Sequence, residues 1–133
     1  MSATGTFTCL CDTTGWEVSG EPAISCYCHC KSCRVYGGDA SQVAGYTPEQ
    51  FKLTKGEDNL IKYESAPSKF RHTCKTCGCM IYNILPNGLK VVPLGGINWA
   101  DDGKPVVPNM HIFVGDKGLE DITDGLPQHE SFP

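Results

Sequence analysis

Nine cysteines in 133 residues, most of them two or three positions apart, constrain this chain more than any other feature. Disulfide-stapled secreted proteins usually carry an even number of cysteines behind an export signal. Here the number is odd, and the first residues lack a charged segment followed by an apolar run. We therefore expect a reduced, cytoplasmic protein whose cysteines bind metal ions.

The remaining composition favours short strands joined by turns, because fifteen glycines and nine prolines interrupt the chain. We predict one mainly β domain over residues 1–133, with little helix. The expected strands cover residues 7–11, 16–18, 23–28, 43–46, 60–64, 69–73, 80–85, 89–94 and 110–114. One short helical turn is expected at residues 47–50, and residues 95–108 are predicted to form a loop.

Charge and hydropathy exclude two classes of partner. The chain has 11 basic and 15 acidic residues, a net charge of -4. It has no basic run long enough to neutralise successive phosphates, so we expect no nucleic-acid partner. No apolar stretch approaches the roughly 20 residues that a membrane-spanning helix needs, so no membrane association is expected.

The strongest metal signal is the CxxCG motif at Cys74, Cys77 and Gly78. Glycine there can adopt positive φ, so that backbone N–H groups point at the thiolates. Cys9 and Cys11, predicted on one face of a strand, supply two more ligands and complete a structural zinc site of four thiolates. The alternative is that Cys9 and Cys11 are only small buried residues.

A second cluster contains Cys28, Cys30 and Cys33, and we predict that these three thiolates hold a second zinc ion. In extended backbone His29 points away from the metal, so it is assigned a supporting role; the alternative is that it is a ligand. Cys26 is a further candidate that would close the site. Its Cα atom would lie about 13 Å from that of Cys30 in a strand, too far for one tetrahedral ion.

Three protein ligands leave zinc one open tetrahedral position, which suits a sulfur from a substrate. A thiol held there as thiolate can add to an aldehyde carbonyl, or leave in the reverse reaction. Cys28, Cys30 and Cys33 are therefore the catalytic candidates, with His29 in support.

Five other residues carry no single assignment. Cys79 is predicted to be a buried strand residue, with a reactive free thiol as the alternative. His111 is predicted to be a half-buried structural histidine. Arg34, Lys69 and Arg71 are candidates for binding substrate carboxylates, although ordinary solvated charges are an equal alternative.

Together these motifs resemble the glutathione-dependent formaldehyde-activating family, which includes a centromere protein V branch, and the resemblance runs from residue 6 to residue 128. The motifs that carry it are Cys9-x-Cys11, Tyr27-Cys28-His29-Cys30-x-x-Cys33-Arg34, Cys74-x-x-Cys77-Gly78, His111-Ile112 and Asp124-Gly125-Leu126-Pro127-Gln128. The resemblance implies an Mss4-like fold of twisted sheets, with zinc in both cysteine sets. It further implies carbon–sulfur lyase or S-(hydroxymethyl)glutathione synthase activity.

Two functions are consistent with these observations. The first is a zinc-dependent lyase or synthase acting on glutathione or a related thiol adduct. The second is a non-catalytic zinc scaffold that binds a protein partner. A second site closed by Cys26, or an exposed apolar patch without a cleft, would favour the scaffold.

Overall fold

A computed structural model describes residues 4–38, 40–100 and 104–133, and two β-sheets dominate it, which confirms the mainly β prediction. The four-stranded sheet runs in the order β10 (Asn98–Trp99), β1 (Thr4–Thr8), β2 (Gly15–Ser19) and β5 (Phe51–Lys55). The seven-stranded sheet runs in the order β11 (His111–Ile112), β3 (Ile24–Cys28), β4 (Ser41–Tyr46), β9 (Lys90–Pro93), β8 (Met80–Ile84), β7 (Lys69–Cys74) and β6 (Leu60–Ala66).

The helical content of the described residues is small. One α-helix, α1, covers Lys31–Gly37, and short 3-10 turns cover Pro48–Gln50, Glu57–Asn59 and Val114–Asp116. No helix in the described ranges is both long and apolar enough to cross a membrane.

The main core lies where the two sheets meet. On β1, glycine and phenylalanine are buried while the three threonines are exposed, as the two-residue period of a strand requires. Trp16 of β2 is fully buried, and its ring lies 4.9 Å from that of Phe7 in a stacked arrangement. Its indole Nε1–H donates to the carbonyl oxygen of Ile81 at 2.8 Å, so one side chain joins both sheets.

The helical turn predicted at residues 47–50 and the strands predicted at residues 80–85 and 89–94 are confirmed. At residues 47–50 the backbone N–H of Thr47 donates to Gln50 Oε1 at 3.0 Å, and the 3-10 turn begins at Pro48. The hairpin between β8 and β9 turns at Gly88, whose φ of 90° is readily adopted only by glycine.

The predicted strand over residues 7–11 is wrong at its end, because β1 stops at Thr8. Cys9 and Cys11 lie in a tight turn that reverses the chain into β2. The N–H of Cys9 donates to the carbonyl oxygen of Thr14 at 3.0 Å, and Asp12 has a φ of 66°. A turn, not strand alternation, therefore brings the two thiols to one side.

The end of the chain differs from prediction in two places. Residues 95–108 are not wholly a loop, because β10 lies within them and Trp99 pairs with Gly5 of β1. The predicted strand at residues 110–114 shortens to β11, which pairs in parallel with β3. Phe113 then takes a left-handed φ of 55°, and the chain leaves the sheet.

Two candidate metal centres and an adjoining cavity

The first centre gathers the four sulfurs that the sequence predicted as one ligand set, Cys9, Cys11, Cys74 and Cys77. Their Sγ atoms all lie within 4.8 Å of one another. The Sγ of Cys11 is 3.6 Å from those of both Cys9 and Cys74. A tetrahedral zinc with bonds of about 2.3 Å holds its sulfurs about 3.8 Å apart, so the spacing fits such an ion.

Hydrogen bonds to sulfur prepare this group for a metal. Gly78, at φ 73°, closes the CxxCG turn by donating its N–H to the carbonyl oxygen of Cys74 at 2.9 Å. The backbone N–H of Thr14 donates to Cys9 Sγ at 3.4 Å, and the Asn59 amide donates to Cys74 Sγ at 3.5 Å. Such outer donors stabilise thiolates and orient metal ligands.

Two of these thiols differ in acidity because their surroundings differ. Burial raises the pKa of Cys9 to about 11. The backbone N–H of Cys77 hydrogen-bonds the sulfur of Cys74 and is the main reason that its pKa falls to about 6. Four thiolates would fill the coordination shell of zinc, which favours a structural role for this centre.

The second centre consists of Cys28, Cys30 and Cys33, whose Sγ atoms also lie within 4.8 Å of one another. Cys28 ends β3, Cys30 precedes α1 as its N-cap, and Cys33 lies in the first helical turn. Helix α1 was not among the elements predicted from the sequence. The first turn of the helix places Cys33 beside Cys30, because the backbone N–H of Cys33 donates to Cys30 Sγ at 3.3 Å.

Hydrogen bonding between these sulfurs shifts the pKa values of Cys28 and Cys30 in opposite directions. The Sγ of Cys28 donates to that of Cys30 across 3.5 Å. This contact raises the pKa of Cys28 and lowers that of Cys30 well below its ordinary value. A soft divalent ion bound by the three sulfurs would take the place of their thiol protons.

Cys26 and Cys79 lie outside both groups of sulfurs. Cys26 is buried on β3, and burial is the main reason that its pKa rises to about 12. Cys79 is partly buried and packs against the main core, but it precedes β8 and so is not a strand residue as predicted. Its backbone carbonyl oxygen accepts from the N–H of Cys74 at 2.9 Å.

A chain of hydrogen bonds runs behind the second centre. His29 Nε2 lies 2.8 Å from His111 Nδ1, and His111 Nε2 lies 3.0 Å from both carboxylate oxygens of Asp124. Because a carboxylate only accepts, His111 carries its proton on Nε2, and Nδ1 then accepts from His29. Both histidines are buried, so the prediction that His111 is only half-buried is wrong.

Asp124 was not singled out from the sequence except as part of a family motif. The available signal was the turn-forming sequence Asp124-Gly125-Leu126-Pro127. In the structure Asp124 Oδ1 accepts from the N–H of Leu126 at 3.1 Å, an Asx-type turn. The N–H of His111 donates to the carbonyl oxygen of Pro127 at 2.8 Å, which holds this segment against β11. A turn-forming sequence predicts the local conformation of Asp124 but not its hydrogen bond with His111.

A cavity of about 470 Å³ adjoins the second centre. Its lining includes all three thiols, Tyr36 of α1 and side chains from β3, β4, β9, β8 and β7. Most of the lining is apolar. Two of the three predicted carboxylate-binding cations, Lys69 and Arg71, line the cavity; Arg34 does not, and its Nε–H donates to the carbonyl oxygen of His29 at 3.2 Å.

Comparison with known proteins agrees with this arrangement. A family model described as "Glutathione-dependent formaldehyde-activating enzyme" matches residues 4–116. No curated protein matches the chain significantly. Three chains of solved structures match, among them a Rhodobacter sphaeroides protein with 22% sequence identity. That match covers 77% of this chain and 97% of the other at a TM-score of 0.59, which supports the fold alone.

Proposed function

The chain belongs to the glutathione-dependent formaldehyde-activating enzyme family, and we propose that it is a zinc-dependent carbon–sulfur lyase or synthase acting on an adduct of glutathione or a related thiol. Three clustered thiols on the wall of a cavity carry this conclusion. We assign Cys9, Cys11, Cys74 and Cys77 to a structural zinc ion. Cys28, Cys30 and Cys33 are assigned to a second, catalytic zinc ion.

The donor sets fit these ions. Only sulfur ligands are present in either group, and zinc is commonly bound by cysteine thiolates. Bound by three thiolates, zinc would supply a Lewis-acidic position that keeps an incoming sulfur deprotonated at neutral pH. All nine cysteines are free thiols, which suits the reducing cytoplasm where we place the reaction.

The reaction itself balances without an oxidant. In the synthetic direction the substrate sulfur forms a bond to the aldehyde carbon, and the carbonyl π electrons move to oxygen. The proton lost from sulfur ends on that oxygen. The apolar cavity limits water around the reacting atoms.

The histidine chain is given a positioning role. His29 lies between two of the ligand cysteines in sequence, and His111 holds its ring from β11. Asp124 fixes the tautomer of His111. The supporting role of His29 is thus to orient the Cys28–Cys30 segment, without contacting the substrate.

The alternative, a zinc scaffold without activity, has less support. A second centre closed by Cys26, or an exposed apolar patch without a cleft, would favour it. Cys26 is not among the three sulfurs that lie within 4.8 Å of one another, and a cavity adjoins them.

Cobalt substitution tests the proposed function directly. Protein loaded with two cobalt ions should change its visible and thiolate-to-metal charge-transfer spectrum when glutathione is added, because a fourth sulfur enters the second centre. S-methylglutathione, which has no free thiol, is the matched control and should leave the spectrum unchanged. If both centres stay loaded and glutathione produces no spectral change, the catalytic assignment of the second centre is wrong.

A further inference from the structure

Arg71 is a buried cation that pairs with no carboxylate of the described residues. It lies in the middle of β7 and is only 5% exposed. The guanidinium group stays protonated in proteins, and burying a charge is costly unless it is paired. The ion pairs among the described residues join Lys55 to Asp12, His111 to Asp124 and Lys117 to Asp121, and none involves Arg71.

The surroundings of the guanidinium orient it and leave one donor nitrogen open. Its central carbon lies 4.6 Å from the ring centroid of Tyr36, so one face is stacked. In the amide orientation of Asn83 that satisfies its hydrogen bonds, the amide oxygen accepts from Nη1 at 3.2 Å. Nη2 is buried and has no hydrogen-bond partner among the described residues. A buried guanidinium held this way is prepared for an anion.

Arg71 lines the same cavity as the three thiols of the second centre. Tyr36 and Cys33 are three residues apart on α1, so they lie on the same side of the helix and connect the guanidinium to the thiol group. Lys69, two residues before Arg71 on β7, adds a second cation to the lining. No aspartate or glutamate of the described ranges lines the cavity, although the whole chain has a net charge of -4.

We propose that Arg71 is a specificity-determining residue that binds a carboxylate of the substrate, so that the site selects thiols that also carry a carboxylate over neutral thiols. The sulfur lies at the Cys28–Cys30–Cys33 group, and the carboxylate accepts from Nη2 of Arg71. Placement of the sulfur rests on the proposed function, whereas placement of the carboxylate does not.

The test removes the interaction from each side separately. Glutathione and its dimethyl ester, in which both carboxylates are blocked, are titrated into cobalt-loaded wild-type protein and into an Arg71→Gln variant. Wild type should bind glutathione about 10- to 100-fold more tightly than the ester, as expected for a hydrogen-bonded charge pair. In Arg71→Gln the two ligands should bind within about threefold of each other, at the affinity of the ester.

Lys62→Gln is the matched control, since Lys62 is an exposed cation on the neighbouring strand β6 and does not line the cavity. It should keep the wild-type preference. An Arg71→Gln variant that weakens both ligands equally would show that Arg71 instead compensates the charge of the thiolate group, and would overturn the assignment. So would a wild type that does not distinguish the two ligands.

Two further measurements keep the outcomes separable. Arg71→Lys retains the charge, so it should lose less of the preference for glutathione over the ester than Arg71→Gln does. Circular dichroism shows whether each variant is folded.

Calorimetry with S-methylglutathione measures binding that needs no metal–sulfur bond. If glutathione leaves the cobalt spectrum unchanged but S-methylglutathione binds wild type and not Arg71→Gln, the proposed function fails and the carboxylate site stands. If glutathione changes the cobalt spectrum but Arg71→Gln still prefers glutathione over its dimethyl ester, the proposed function stands and the carboxylate site at Arg71 is wrong.

Discussion

Asp124 shows how one exposed side chain can act on a buried centre. Its side chain is 45% exposed, yet it accepts from the ring of His111, which is 6% exposed. The hydrogen bond from His111 is the main reason that the pKa of Asp124 lies below its ordinary value, so the carboxylate is ionised at neutral pH. Through His111 this charge fixes the ring of His29, between two candidate metal ligands.

An Asp124→Asn substitution should therefore weaken metal binding at the second centre. The amide can donate as well as accept, so it no longer enforces the tautomer of His111. Loss of an outer-shell partner typically costs about 10- to 100-fold in metal affinity, and we expect a decrease in that range. Competition with a chromophoric chelator would measure it for each of the two bound ions.

Asp121→Asn is the control at this scale, because Asp121 is 91% exposed and pairs only with Lys117 in the ion pairs of the described residues. It should leave both affinities unchanged. Equal affinities in the two variants would refute the positioning role of the histidine chain.

At the scale of elements, the connection between β5 and β6 supports the first centre. Gly56 begins the 3-10 turn Glu57–Asn59 with a left-handed φ of 75°. A Cβ atom there would clash with the carbonyl oxygen of Thr13, because the turn packs directly on the chain reversal that follows Cys11. Asn59, at the end of this turn, donates to Cys74 Sγ. The β1–β2 turn and the β5–β6 connection between the two sheets thus meet at the first candidate metal centre.

Gly56→Ala should destabilise the protein by about 3 kcal/mol or more, because the left-handed conformation and the backbone clash both oppose a Cβ atom. Gly88→Ala is the matched control: its φ is 90°, but nothing lies within 4 Å of the added Cβ. It should cost only the conformational part, about 1 to 2 kcal/mol. Urea unfolding of both metal-loaded variants measures the difference, and equal losses would contradict the close packing described for Gly56.

Across the whole molecule, the first centre joins the two sheets. Cys9 and Cys11 lie in the reversal between β1 and β2, whereas Cys74 ends β7 in the other sheet. The hydrogen bond from Trp16 to Ile81 is a second link between the two sheets, through the core. The second centre, by contrast, lies at one end of β3 and within one short stretch of chain. A metal ion at the first centre would therefore contribute more to folding than a metal ion at the second.

Cys11→Ser should bind one metal ion instead of two and should unfold at least about 10 °C below wild type, since loss of the structural ion removes several kcal/mol. Cys30→Ser should lose turnover and the other ion while melting within about 5 °C of wild type. Scanning calorimetry with metal analysis measures both quantities. The opposite order of melting temperatures would reverse the structural and catalytic assignments.

Much of the fold followed from local signals. Pro48 restricts φ through its ring, and Gly88 permits a positive φ because it has no Cβ atom, so the elements next to these turn residues were predictable. The grouping of the cysteines into sets of four and three was predictable from spacing, although the strand geometry assumed for Cys9 and Cys11 was wrong. Helix α1 was missed because seven residues with a polar first turn carry little periodic signal.

The sequence by itself determined which residues can act as ligands, since thiols at short spacing leave few other chemical options, and it indicated a mainly β chain. Only the tertiary structure decided that β10 pairs with β1, that His111 reaches His29, and that Arg71 shares a cavity with the thiols. These contacts join residues far apart in the chain. Their formation depends on which strands pair and on which buried polar groups find hydrogen-bond partners, and no local sequence pattern encodes either.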